Sequence, residues 1–293
     1  MTKPINLGRR ESFKKVLLGG AAFGSLSSFD FEESKKALSL KGNINHGVCL
    51  WSMRPLSLEE LCAGAKKLGI QGVDIVGPDA YPTLQKYGLQ CSMSNGAEIS
   101  IADGWNDPKF HDQLVKNYEE VIPIVAKNGY KNLIAFSGNR RGMDDETGLE
   151  NCVKGLKRIM ATAEKHGVVI QMELLNSKVD HKDYMCDLSP WGIELCKRID
   201  SENFKLLYDI YHMQIDEGDI IRTIKNNYQY FGHYHTAGNP GRNELDQNQE
   251  INYPAVMQAI VDTGYKGFVS HEFVPKQEDK LLALQQAIEV CDV

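Results

Sequence analysis

From Asn43 to the C-terminus the chain alternates short strand-like runs with helix-like stretches, and no long linker or low-complexity segment interrupts the pattern. The strand-like runs are INHGVCLW (44–51), GVDIVG (72–77), LQCSMS (89–94), KNLIAFSG (131–138), VVIQME (168–173), FKLLYD (204–209), YQYFGHYH (228–235) and GFVSHE (267–272). Helical patterns fill the gaps over 56–69, 81–87, 107–129, 146–166, 191–199, 219–226, 253–263 and 276–290. Strands that alternate with helices pair in parallel. Eight such units are the number that closes a (β/α)8 barrel. An open doubly wound sheet competes, but no G-x-G-x-x-G phosphate turn follows any strand. The expected fold class is therefore α/β, a single (β/α)8 barrel over 44–293.

Local signals agree. Leu58, Leu61, Cys62, Ala65 and Leu68 recur at helical spacing, and Gly69 stands where a helix ends. Asp107 and Pro108 open a long helix that Gly129 closes, and Pro123 inside it predicts a kink or two abutting helices.

The last four strand-like runs end on charged or imidazole side chains: Glu173, Asp209, His235 and Glu272. They are separated by 36, 26 and 37 residues, about one strand–helix unit each. In a parallel barrel all four converge at the C-terminal mouth, where such barrels keep their active sites. Three carboxylates and one imidazole make an oxygen-rich set suited to Mn²⁺, Mg²⁺ or Co²⁺ and less typical of Zn²⁺. Each residue alone has an ordinary reading, as an ion-pair partner or, for Asp209, as a helix N-cap. Their joint placement carries the metal assignment. His212 follows Asp209 at i+3 and would face the same cavity. His233 shares a strand face with His235 but lies one pleat deeper. Arg242, on the turn-rich AGNPGR segment above the mouth, suits bidentate capture of a carboxylate or phosphate. Trp51 and Trp105 are candidate apolar walls, residues 182–184 could cover the pocket, and His46, His111, His166 and His181 have no spacing that recommends them.

The N-terminus differs from the rest. GRRESFKKVLLGGAAFGSLSS (8–28) sets Arg9 and Arg10 before a short, weakly apolar segment, which resembles a twin-arginine export signal. The expectation is a signal over 1–28, a linker over 29–43 and periplasmic localisation, with a disordered basic leader or a first helix, and a cytoplasmic protein, as the alternative. Residues 1–28 hold five cations against Glu11, a net of +4, so removing them takes the chain from −6 to −10. So acidic a body is a poor match for nucleic acid, whose binding is driven by Lys and Arg. No apolar run reaches the roughly 18 residues of a membrane span. Seven scattered cysteines give neither a disulfide framework nor a paired zinc spacing, and read as buried small hydrophobes. A homo-oligomer is compatible with all of this.

GVDIVGP (72–78), MELLN (172–176), LLYDIYHMQ (206–214), HTAGNPGRNE (235–244), INYPAV (251–256) and HEF (271–273) together resemble the xylose isomerase-like TIM barrel superfamily of sugar isomerases and epimerases. Within it the chain looks most similar to the hydroxypyruvate isomerase family, over about residues 44–290. The resemblance implies one divalent ion on Glu173, Asp209, His235 and Glu272, with both glutamates also moving protons and His212 and Arg242 contacting substrate. Two positions depart from the hydroxypyruvate isomerase pattern. That family usually carries Gln in place of His235, and ketose 3-epimerases carry His; its His-Glu-Pro after PGR is here Asn243, Glu244 and Leu245.

The expected chemistry is proton removal from an α-hydroxy carbonyl substrate to give an enediolate, assisted by the metal. Reprotonation at the neighbouring carbon isomerises, and reprotonation on the opposite face epimerises. The reading is isomerisation of hydroxypyruvate, 2-hydroxy-3-oxopropanoate or a related small sugar. The alternatives are a ketose 3-epimerase, a keto-sugar lyase or dehydratase, an endonuclease-IV-like repair enzyme, and a non-catalytic sugar-binding barrel.

Overall fold

The computed structural model of the chain describes residues 38–293. The expected export signal (1–28) and residues 29–37 of the expected linker lie outside the described residues. Eight strands follow in order: β1 Asn45–Cys49, β2 Gly72–Val76, β3 Gln90–Ser94, β4 Asn132–Ala135, β5 Val169–Glu173, β6 Phe204–Asp209, β7 Phe231–Thr236 and β8 Phe268–His271. All neighbours pair in parallel, and β8 returns to β1 to close the barrel, as the alternation required. Closure leaves no free sheet edge.

The helices are α1 Leu58–Lys67, α2 Tyr81–Tyr87, α3 His111–Lys127, α4 Asp145–His166, α5 Ser189–Ile199, α6 Ile210–Asp216, α7 Ile220–Asn227, α8 Tyr253–Asp262 and α9 Lys280–Cys291. Their ends follow local chemistry. Ser57 and Glu60 form a reciprocal capping box at the start of α1, and Asp144 caps α4, which ends at left-handed Gly167. The chain runs through Pro123 as one helix, α3. Gly155 lets α3 and α4 approach closely: a Cβ there would stand 2.7 Å from His111 and Trp105.

Several boundaries differ from expectation; Pro108–Phe110 form a 3-10 turn, so α3 begins at His111. Residues 228–230 form a 3-10 turn, so β7 begins at Phe231. The last helix starts at Lys280, where Asp279 accepts the backbone N–H of Leu281 and Leu282. Helix α6 starts directly off β6, with Asp209 as its N-cap.

The strands are buried almost throughout, as parallel strands covered by helices must be. On β6, Phe204, Leu206, Leu207 and Tyr208 are each at most 1% exposed. Side chains of that size contribute about 1.5–3 kcal/mol each on full burial, so the strand that carries Asp209 is held firmly. All seven cysteines are free and buried. Among the described residues no helix is long and apolar enough to cross a membrane.

Candidate active site

Glu173 and Asp209 close β5 and β6, His235 is the penultimate residue of β7, and Glu272 follows β8 directly. Strand geometry therefore delivers all four side chains to the C-terminal mouth. They are 3%, 1%, 0% and 2% exposed. One donor atom from each lies within 4.8 Å of the others. His235 Nδ1 stands at the centre, 3.0 Å from Glu272 Oε2, 3.2 Å from Glu173 Oε1 and 3.9 Å from Asp209 Oδ2.

Arg242 covers this cluster. The segment that carries it turns tightly: Asn239–Pro240 is cis, Gly241 has φ 98° and Arg242 itself φ 58°. A Cβ on Gly238 would meet the Glu244 carbonyl at 2.2 Å, so only glycine fits where the loop folds back on itself. The guanidinium lies 2.5 Å from Glu272 Oε2 and 3.8 Å from Asp209 Oδ2, between the rings of Trp51 and Tyr211 at 5.1 and 5.5 Å. Trp51 Nε1 donates to the other Glu272 oxygen at 2.8 Å.

Asp209 serves both readings the sequence left open. One oxygen accepts the His212 backbone N–H at 3.0 Å and caps α6, while the other faces His235 and Arg242. That cap places the His212 ring, wholly buried, beside Asp209. Asn176 donates to its Nδ1, and its buried Nε2 has no hydrogen-bond partner and lies 3.7 Å from Asp209.

Burial sets the electrostatics. It pushes the Asp209 carboxyl up to about 7, with Arg242 opposing and Glu272 reinforcing. Burial also raises Glu173, despite His235. Glu272 is equally buried, yet His235 and Arg242 more than offset that and hold it well below the usual carboxylate range. Three buried carboxylates thus share one guanidinium and one imidazole. Glu173 Oε1 is left without a hydrogen bond. A divalent cation fits this donor set and its surplus negative charge, and the mix of three oxygen donors with one imidazole favours a hard ion.

Beside the cluster opens a cavity of about 450 Å³. Its walls are mostly apolar, with Trp51, Ile75, Ile99, Ile101, Phe136 and Leu175, and its floor reaches Glu173, Arg242 and Glu272.

Residues 62–292 match the family model described as xylose isomerase-like TIM barrel. The chain belongs to that family. Among its relatives, the 2-oxo-tetronate isomerase of Cupriavidus necator is 33% identical over 114 residues, 39% of this chain and 43% of that protein. The 2-oxo-tetronate isomerase of Pectobacterium atrosepticum is 26% identical over 230 residues, 74% of this chain and 87% of that protein. With the first of these, and with the putative hydroxypyruvate isomerase of Homo sapiens, the chain spans less than half of the relative's length. Among solved structures, the D-psicose 3-epimerase of Clostridium cellulolyticum H10 superposes with a TM-score of 0.71 at 18% identity, over 85% of this chain and all of that one. The same barrel fold thus occurs in isomerases and in an epimerase.

All six site residues read from the sequence meet at one mouth. Trp51 forms a cavity wall, while Trp105 is wholly buried against His111 and Tyr118. Sequence spacing passed over two others. His181 lines the cavity and its ring stands 5.2 Å from that of His212. Asp74, in the middle of β2, contacts both His233 and His235. Tyr184, in the loop expected to cover the pocket, is buried and donates to the Glu173 carbonyl at 3.0 Å, so it braces the strand end.

Proposed function

We propose that this protein is a divalent-metal-dependent isomerase acting on a small molecule with a hydroxyl next to a carbonyl, by way of an enediolate. Glu173, Asp209, His235 and Glu272 would hold the metal, as Mn²⁺, Mg²⁺ or Co²⁺. When bound there, such an ion supplies the Lewis acidity that loosens the C–H beside a carbonyl.

The observation that carries this reading is the pair Glu173 and Glu272. Both carboxylates lie within 3.2 Å of one His235 nitrogen, and their surroundings push them in opposite directions. Two carboxylates facing one point can serve in turn as base and acid toward a substrate bound there. Glu272, held ionised by His235 and Arg242, takes the proton; Glu173 is placed to return one. Return to the neighbouring carbon gives an isomer, and return to the opposite face gives an epimer. His212, with its free ring nitrogen, is set to hydrogen-bond a substrate oxygen, and the apolar walls exclude water from the reacting carbon. The isomerase relatives support a hydroxy-oxo acid or small sugar, hydroxypyruvate included, as substrate.

The cavity favours a second reading. A volume of about 450 Å³ exceeds what a three-carbon acid fills and leaves room for a ketose, and by the resemblance His235 is the residue that ketose 3-epimerases carry. The test is a panel of hydroxypyruvate, four-carbon 2-oxo acids and neutral ketoses, each with Mn²⁺ and with chelator. Metal-dependent formation of an isomer or epimer from any of them supports the proposal. Metal-independent turnover, or no turnover of any α-hydroxy carbonyl compound, contradicts it.

A further inference from the structure

We propose that Asp74 is a positioning residue: it fixes the His235 ring from below and so sets how tightly the four-residue cluster holds a divalent cation. The inference rests on reading that cluster as the metal site.

His235 uses its two ring nitrogens in opposite directions. Nδ1 faces Glu173, Asp209 and Glu272, while Nε2 lies 2.6 Å from Asp74 Oδ2. A carboxylate at that distance keeps a proton on Nε2 and leaves the Nδ1 lone pair for a cation. Asp74 is wholly buried and is itself fixed from three strands. Ser92 Oγ on β3 donates to Oδ1 at 2.8 Å, and His233 Nε2 on β7 lies 3.0 Å from Oδ2. The Cys49 thiol on β1 donates to Oδ2 at 3.6 Å.

The backbone points the same way. The β2–β3 register shifts on both sides of Asp74, which pairs with Met93, and the next residue, Ile75, has φ 51°. A β-branched residue in the left-handed region, inside a strand and away from any turn, costs energy of order 1–3 kcal/mol. Bulges of this kind re-aim a side chain, and they gather beside active sites. Here the side chain so directed is Asp74. Carboxylates behind a metal-binding histidine typically change metal affinity 10–100-fold.

The experiment titrates Mn²⁺ by calorimetry into the metal-stripped full chain, with metal content measured at saturation and thermal unfolding of the metal-free proteins alongside. Asp74→Asn keeps the shape and removes the charge. The expected result is one Mn²⁺ per chain in both proteins, affinity weakened about 10–100-fold in the variant, and metal-free unfolding temperatures within a few degrees. In a His235→Gln background, Asp74→Asn should change affinity less than about threefold, because the ring it orients is gone. Should Asp74→Asn not fold, Ser92→Ala, which removes one of its anchors, should show a smaller loss in the same direction. Unchanged affinity in the variant that folds, or an equal loss without His235, overturns the proposal. Two ions in the wild type, with one lost in Asp74→Asn, would also overturn it, because Asp74, His233 and His235 would then be ligands themselves. Failure of the wild type to bind Mn²⁺ would instead sink the metal-site reading from which the inference starts.

Discussion

Arg242 places a guanidinium nitrogen 2.5 Å from Glu272 Oε2, so the cation that reaches into the mouth is already matched to a carboxylate proposed to move protons. An anionic substrate would have to share that cation, and a neutral one would not. If the substrate carries a carboxylate, Arg242→Ala should lose about 10–100-fold in kcat/KM, with Arg242→Lys recovering only part of it. On a neutral ketose the loss should be smaller and nearly independent of salt. Kinetics of both variants on both substrates at low and high ionic strength separate the two.

Glu173→Gln and Glu272→Gln should each lower turnover by at least ~10²–10⁴-fold, as loss of a positioned acid or base does. The barrel should stay folded, because both side chains stand at the mouth and outside the hydrophobic core. Circular dichroism and kcat measured together check this, and more than a tenth of wild-type rate in either variant would remove it from the chemistry.

Chelation should abolish activity, and Mn²⁺, Co²⁺ or Mg²⁺ should restore it. Bound metal, measured by elemental analysis, should fall sharply in Asp209→Ala and His235→Ala. Full metal content in both would place the ion elsewhere.

The raised Asp209 carboxyl has a cost that the metal-free protein should reveal. Its folded pKa, about 7, lies above its ordinary value of 3.8. Its stabilising contribution is therefore complete only below pH 3.8 and is lost as pH rises through 7. At pH 8 metal-free Asp209→Asn should be more stable than wild type, by on the order of 1–4 kcal/mol. The gap should narrow steadily as pH is lowered toward 4, and saturating Mn²⁺ should close it at pH 8. Thermal unfolding across that range reads the difference, and a variant less stable than wild type at pH 8 would contradict the charge balance drawn here.

The mouth was legible because charges are rarely left at the ends of apolar strands without purpose, and strand–helix spacing places those ends side by side. Glu173, Asp209, His235 and Glu272 needed no more than that. Asp74 was hidden because it lies within β2, where a bulge, invisible to a period-two pattern, turns the chain at Ile75. The N-cap reading of Asp209 pointed to helix α6, but IYHMQID spans only two turns, too short for a helical period to show in the sequence. His181 came to the cavity through a loop after β5, which no periodicity describes.

The most direct test follows the proton. The protein would be incubated with Mn²⁺ and the panel of α-hydroxy carbonyl compounds in D₂O, and the products read by proton NMR. The account expects deuterium at a carbon adjacent to the carbonyl in an isomer or epimer, lost on chelation and lost in Glu272→Gln. Turnover without solvent deuterium at that carbon, or deuterium uptake that persists in Glu272→Gln, would contradict it.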